Sequence, residues 1–381
     1  MNDLDCRESE MMEKTKRIIA VMVCIVGMIV TLVGCGSTTT GTNDKKPMRT
    51  IVDACGREVE IPAQVKSVVP LANGLRYLCY AQAQDLVVGI EKGEKEHELV
   101  KAYNWVYYDT WKDKPIAGEG GSGGYKPYIE QIVEINPDVV ICAYTKDAAD
   151  DLQQKSGIPV VTIHSGTLFQ ENYEQSLRIV GEVCGKEKRC EEVIQYIRDV
   201  KEDLNRRTKE IKDEEKPSVY AGAVSFSGGH GIEGSMKNFP PLVAINAKSA
   251  ILPNEGGKTQ AVNLDPEEIL NKNPDIIFLD PNNLSLVNKD YAKNPSFYKS
   301  LKAVQKDQVY TMLGYNWYHT NVEIAMADCY YAGSVVYPKQ FADIPSEKKA
   351  AEIFQFMLGS DNYYEQLKEH GFGFGKIKIG E

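Results

Sequence analysis

YIEQIVEINPDVVI, Tyr128 to Ile141, returns later in the chain as DPEEILNKNPDIIF, Asp265 to Phe278. The copies align Glu130 with Glu267 and Asn136 with Asn273. Each has the form of a helix returning into a buried strand. Pro127 and Pro266 suit a first helical turn, where the missing N–H is not needed. Ile129, Ile132, Val133 and Ile135 make a stripe expected to be buried, and Ile269 and Leu270 repeat it. Asn136-Pro137 and Asn273-Pro274 stop the helix, since the residue before proline avoids helical geometry. Val139-Val140-Ile141 and Ile276-Ile277-Phe278 are then short strands, apolar on both faces as in a parallel sheet.

Around each copy, strands alternate with helices. A hairpin is expected in RTIVDACGREVEIP, Arg49 to Pro62, followed by a strand at Ser67 to Pro70. A helix over Leu75 to Gln84 and a strand over Leu86 to Ile90 come next, then an aromatic-rich segment from Glu91 to Lys114. IPVVTI (Ile158 to Ile163) follows the first copy, with a helix from about Asn172 to Val183. PSVYAGAV (Pro217 to Val224) opens the second half and VYTM (Val309 to Met312) comes late in it. This is the α/β pattern. Lys186 to Lys216 separates the halves without Gly or Pro, and Val193, Ile197, Val200, Leu204 and Ile211 keep helical spacing. Read as one helix it is a rod of roughly 40 Å. The chain is therefore read as two similar α/β lobes, residues 48–185 and 217–381, joined by one long helix over 186–216.

The 381 residues hold 43% apolar and 26% charged side chains, enough for two ordinary cores. A net charge of −10 excludes general nucleic-acid binding, which needs a basic face. Lys14 to Arg17 followed by the apolar run Ile18 to Val33 describes a secretory signal. Cys35 after Leu32-Val33-Gly34 marks it as a lipoprotein signal over residues 1–34, with Cys35 as the lipidated N-terminus. A single membrane-spanning anchor is the competing reading, and both place the body outside the membrane. Residues 35–47, polar and rich in Gly and Thr, read as a flexible tether. Of nine cysteines none forms CxxC, so zinc-ribbon and thioredoxin-like chemistry are not indicated. Pairing of Cys184 with Cys190 is left open.

VDACGREVEIP, the helix entry PLANGLRYL (Pro70 to Leu78), IEQIVEINPDVVI, GIPVVTI, the long bridge and NLDPEEILNKNPDIIFL occur in a specific order behind that signal. In this order the chain resembles the periplasmic or lipoprotein substrate-binding proteins of ABC importers for iron–siderophores, haem and cobalamin. The resemblance covers nearly all of residues 48–381. It implies two Rossmann-like lobes facing each other across a shallow cleft, with a single long interlobe α-helix limiting their opening. It also implies a monomer that is not an enzyme, needs no cofactor, and works with a permease and a separate ATPase. Glu130 and Glu267 would be the surface acids that dock onto basic permease residues. From the residues alone, each is a solvated acid in a first helical turn.

Ligands of open α/β sheets bind beyond the carboxyl ends of strands. That rule selects Asn73 and Arg76 after the first strand, Tyr125 and Lys126 after the glycine loop, Tyr144, and His164. In the second half it selects Ser225, Ser227 and His230 in SFSGGHG. GYNWYHTN, Gly314 to Asn321, adds Tyr315, Trp317, Tyr318 and His319, whose flat faces and polar tips suit an aromatic or chelated ligand. Only five histidines are present and none is spaced as a pair, so contacts to a pre-chelated metal are favoured over direct metal binding. The expected ligand is a small metal complex of the ferric siderophore kind. Arg76 and Lys126 keep open a free oxyanion such as molybdate or tungstate, and haem and cobalamin remain alternatives. GGSGG, Gly120 to Gly124, formally matches a hydrolase nucleophile elbow, but that motif needs a strand before it and a helix after it. A loop cradling an anion at a helix start fits better.

Overall fold

The computed structural model describes residues 47–121, 125–254 and 257–381. The signal run, Cys35, the tether before Pro47, and Ser122 lie outside them. The described chain opens with the antiparallel hairpin β1 (Met48–Val52) and β2 (Glu58–Pro62), turning at Cys55-Gly56. The first lobe follows: β3 (Val68–Leu71), α1 (Gly74–Tyr80), β4 (Ile90–Glu91), α2 (Ala102–Trp111), β5 (Ile116–Gly118), α3 (Ile129–Ile135), β6 (Val139–Cys142), α4 (Lys146–Ser156), β7 (Val160–Thr162) and α5 (Glu171–Cys184). Helix α6 (Glu187–Thr208) crosses to the second lobe. There the order is β8 (Ser218–Gly222), β9 (Gly234–Lys237), α7 (Pro240–Ala244), β10 (Lys248–Ser249), β11 (Gln260–Asn263), α8 (Pro266–Lys272) and β12 (Ile276–Leu279). It continues through α9 (Leu284–Lys293), α10 (Pro295–Ser300), α11 (Lys302–Gln305), β13 (Val309–Thr311), α12 (Val322–Val336), α13 (Ser346–Leu358), α14 (Tyr363–Glu369) and β14 (Gly375–Lys376).

The repeated phrase builds the centre of both sheets. In the first lobe the parallel order is β3-β6-β7, and in the second it is β10-β8-β12-β13, with β14 antiparallel at one edge. Each phrase thus delivers its strand, β6 or β12, between the lobe's first strand and its next. Asn136 and Asn273 close their helices in the left-handed region, at φ 50 and 42. Asn reaches that region more readily than other residues with a side chain. The following Asp then fastens the neighbouring strand. The Asp138 carboxylate accepts from the Ser67 N–H at 3.2 Å, and the Asp275 carboxylate accepts from the Ser218 N–H at 2.9 Å.

The core follows the same logic. Val69, Ile132, Val140 and Leu152 cluster under α3, and Tyr220, Ile269, Ile277 and Tyr298 cluster under α8. A third cluster runs across the lobes, from Tyr77 and Trp111 through Val193 and Leu204 to Phe354 and Tyr364.

Several expectations need correction. Helix α6 is 22 residues, about 33 Å, and ends at Thr208 rather than Lys216. In its last turn Arg207 grips the Asp343 carboxylate with two bonds of 2.6 and 2.9 Å, and beyond it the chain turns so that Ile211 packs on the core. The expected helix over Leu75 to Gln84 stops at Tyr80. Within the aromatic segment the rings of helix α2 pack inward. That helix straps the first lobe to the last helices, with Trp105 Nε1 donating to Gln366 and the Tyr107 hydroxyl to the Leu358 carbonyl. Val133 and Leu270 were expected in the buried stripe, yet they are 47% and 38% exposed. Each helix is only two turns long and presses a single fully buried residue, Ile132 or Ile269, onto its sheet. The next residue round points to solvent. All six cysteines among the described residues are free thiols, Cys184 and Cys190 included.

Candidate functional site

The carboxyl ends of the two parallel sheets face one another, and the loop after β13 spans the gap. Tyr144 leaves β6, and its ring lies 5.3 Å from that of Tyr125. Across the lobes the Tyr125 hydroxyl meets His319 Nε2 at 3.2 Å, with the two rings within 10° of parallel. Tyr125 keeps 46% of its surface exposed. Burial, with the charge of Arg76 adding to it, pushes His319 down to about 4. At neutral pH it is an uncharged imidazole offering one donor and one acceptor. The buried Tyr144 hydroxyl has no partner among the described residues.

Behind this trio lies a buried polar layer. Arg76, packed at 4.6 Å over the Tyr103 ring, donates to the Asn73 side chain, to the Tyr318 carbonyl and to Asn321 Oδ1. Asn73 in turn donates to the Ser165 carbonyl at 2.8 Å. Arg76 and Asn73 therefore hold the aromatic loop to the first lobe and are themselves buried. The Tyr318 hydroxyl donates to the carboxyl of Glu91, and Trp317 Nε1 to Glu98 at 3.3 Å. Burial pushes Glu91 up to about 7. Its other oxygen, Oε1, is unpartnered among the described residues. Gly120, at φ +68, lies so close that a Cβ there would sit 2.8 Å from the Tyr318 hydroxyl and 2.9 Å from the Glu91 carboxyl.

The second lobe contributes a separate group. The Ser225 hydroxyl accepts from Asn283 at 2.8 Å and faces Asp280, whose carboxyl burial raises to about 6. Asn316 Nδ2 donates to the Ser225 carbonyl at 2.5 Å and so ties the aromatic loop to this lobe too. His230 stacks on Phe226 at 3.8 Å, with Nε2 against the Phe226 carbonyl at 2.8 Å. Ser227 beside it is exposed. Tyr315 is a core residue, edge-on to Phe239. A cavity lined by Phe239, Phe278, Asp280, Met312 and Asn316 has about 10 Å³ open to water, room for one molecule.

Sequence-selected residues thus fall into four sets. Tyr125, Tyr144, Tyr318 and His319 converge between the lobes, while Asn73, Arg76, Trp317 and Tyr315 support the loop that brings them there. Ser225 is buried beside Asp280 and Asn283 in the second lobe, with His230 and exposed Ser227 on the same loop, while His164, held by Gln175 at 3.2 Å, and exposed Lys126 belong to the first lobe. Glu130 and Glu267 are exposed in the first turns of α3 and α8. Among the described residues no cluster of three or more His, Cys, Asp or Glu could hold a metal, and no helix is long and apolar enough to cross a membrane.

Sequence reasoning overlooked Glu91, Asp280 and Asn321. The first two follow Ile90 and Leu279 at strand ends, so the strand-end rule applied evenly would have found them. Several left-handed residues also lie on these loops. Ala72 after β3 and Ala223 after β8 are left-handed at φ 54 and 59, as are Ser227, Tyr318 and His319.

The family model described as periplasmic binding protein matches residues 81–314. An iron-uptake system-binding protein of Bacillus subtilis (strain 168) is 31% identical over 55% of this chain and 65% of its own length. An uncharacterized ABC transporter substrate-binding lipoprotein of the same organism, YvrC, is 25% identical over 65% of this chain and 76% of its own length. Among solved structures, the molybdate-bound periplasmic binding protein MolA of Haemophilus influenzae aligns with TM-score 0.64 at 18% identity. That alignment covers 82% of this chain and 98% of MolA, and speaks to the fold alone.

Proposed function

Because the chain belongs to the periplasmic binding protein family, whose members are solute receptors and not enzymes, we propose that it captures an iron chelate between its lobes and hands it to an ABC permease. The observation that carries this reading is the trio Tyr125, Tyr144 and His319. Its rings come from both lobes, one of them is half exposed, and the imidazole is uncharged. Flat faces and hydroxyl tips suit the organic shell of a chelate, whose iron is already fully ligated. The iron-uptake role in the name of one relative supports the same choice. A free oxyanion such as molybdate or tungstate would need the Arg76 guanidinium, which Asn73, Asn321 and the Tyr318 carbonyl already occupy. Lys126 alone is a thin basis for that ligand. Haem and cobalamin share the aromatic argument without the iron-uptake relative's support.

On this reading Cys35 carries the lipid and residues 36–47 tether the receptor to the outer face of the cell membrane. Glu130 and Glu267 dock on the permease, and a separate ATPase supplies the energy. The test is titration of the purified protein with a ferric trihydroxamate, a ferric triscatecholate, haem, cobalamin, molybdate and tungstate, following tryptophan fluorescence. Trp317 lies in the loop that carries His319, so it reports on the cleft. One ferric chelate is expected to quench saturably, and Tyr125→Ala or His319→Ala to weaken it at least about tenfold. A response to an oxyanion alone would replace the chelate with that anion.

A further inference from the structure

Behind the rings of the cleft, two buried polar atoms have no partner among the described residues: Glu91 Oε1 and the Tyr144 hydroxyl. Glu91 is 2% exposed and Tyr144 7%. The two belong to one place. The charge of Glu91 reaches both Tyr144 and Tyr125, and its second oxygen accepts from the Tyr318 hydroxyl. The Ala72 N–H favours the ionised carboxyl, yet no described donor closes on Oε1.

No nearby base is left to balance this carboxyl. Lys101 Nζ lies 3.4 Å from Glu94 and 2.8 Å from Glu98, and it donates to the Gly93 carbonyl at 2.7 Å. Arg76 is engaged by Asn73, Asn321 and the Tyr318 carbonyl, and the buried Glu323 is the acid that favours its charge. Glu91 makes no ion pair among the described residues. A carboxylate held out of water without a counter-ion is costly, and burial accordingly raises Glu91 to about 7. A cation brought in from the cleft would remove that cost. Its way in is lined by the Tyr125 and Tyr144 rings, 5.3 Å apart, whose faces attract positive charge.

We propose that Glu91 Oε1 and the Tyr144 hydroxyl together receive a primary ammonium on the ligand, so that the receptor selects a chelate carrying a positive arm over neutral and anionic ones. This rests on reading the chain as an iron-chelate receptor, and it adds the charge of the chelate. The ammonium donates to Glu91 Oε1 and to the Tyr144 oxygen, which fills both vacant positions. A ferric triscatecholate, which is strongly negative, is repelled by the same carboxylate.

The test compares two ligands that differ only at the arm. One is ferrioxamine B, the ferric complex of a linear trihydroxamate that ends in a primary ammonium. The other is the same complex with that amine acetylated. Each is titrated into the purified protein by tryptophan fluorescence. Wild type is expected to bind the ammonium form about tenfold or more tightly than the acetylated form. Because the ammonium needs the ionised carboxyl, that preference is expected to grow as pH rises from about 6 to about 8. The groups facing Glu91 are Tyr318 on the aromatic loop, Glu94 and Lys101 between β4 and α2, and Tyr125 and Tyr144 in the cleft. In Glu91→Gln the preference is expected to fall to near one and to stay flat with pH, which separates Glu91 from those neighbours. Tyr144→Phe is expected to reduce the preference about threefold without flattening its pH dependence. Equal affinity of wild type for the two complexes overturns the proposal and leaves the chelate reading standing. So does a preference that survives unchanged in both variants. Binding of neither complex overturns it as well. A response to a ferric triscatecholate then keeps the chelate reading, and a response to molybdate alone removes both.

Discussion

Glu91 and His319 lie within a few residues' reach of each other and titrate in opposite senses. Burial raises Glu91 from 4.5 to about 7, so between those values the folded protein keeps a proton that the unfolded chain releases. Its contribution to stability is full below about 4.5 and is lost as pH rises through 7. Burial lowers His319 from 6.5 to about 4, so there the unfolded chain holds the extra proton. That contribution is full above 6.5 and is lost as pH falls through 4. In the shared window the two slopes oppose, and variants separate them. Glu91→Gln is expected to gain stability relative to wild type as pH rises from 4.5 to 7, by on the order of 3 kcal/mol. His319→Phe is expected to lose stability relative to wild type as pH rises from 4 to 6.5. Urea unfolding at a series of pH values measures both, and flat differences would place these groups in solvent.

At the scale of elements, the repeated helices depend on how they end. Asn136 and Asn273 are left-handed, and each donates its N–H to a carbonyl four residues back, Ile132 or Ile269. Alanine at either position is expected to cost about 1 kcal/mol, because it keeps the Cβ that crowds the carbonyl in that conformation but loses the polar side chain that offsets the crowding by local hydrogen bonding. Glycine is expected to be tolerated or slightly stabilising. Equal losses for Ala and Gly in urea midpoints would mean that side-chain hydrogen bonds, such as the one Asn273 Oδ1 accepts from the Lys302 N–H at 2.8 Å, matter more than the backbone angle. The long bridge rests on other grounds. Its inner face, Val193, Ile197, Val200 and Leu204, is buried along its length, and Arg207 locks its last turn to Asp343. Packing rather than propensity decides where it stops.

For the whole molecule, the shared core is the governing feature. One apolar cluster includes Tyr77 and Trp111 from the first lobe, Val193 from the bridge, and Phe354 and Tyr364 from the last helices. Arg189 on the bridge donates to the Tyr80 carbonyl on one side and the Phe356 carbonyl on the other. With the lobes sharing a core, the body is expected to unfold in one transition, with circular dichroism and tryptophan fluorescence coincident and calorimetric and van't Hoff enthalpies equal. Two separated transitions would show that the lobes are independent. The same coupling implies little change in lobe orientation on ligand binding, since α2 and α13 would have to part first.

The α/β class, the two lobes and the helix between them were legible in the sequence because they rest on local signals. Apolar periodicity, the Asn-Pro stop and the order of strands are written into consecutive residues. The candidate site was half legible. A strand-end rule named Tyr125, Tyr144 and His319, but it could not separate them from Arg76, Asn73 and Tyr315, which the fold turns inward to hold the loop. The reason is physical: which way a polar side chain points at a strand end depends on the opposite lobe, far away in the chain. Glu91 becomes part of the site only because Tyr318 arrives from more than 200 residues later to donate to it. The exposure of Val133 and Leu270 is of the same kind. Spacing along a helix says which residues share a face, and only the packed sheet beneath decides how wide the covered face is.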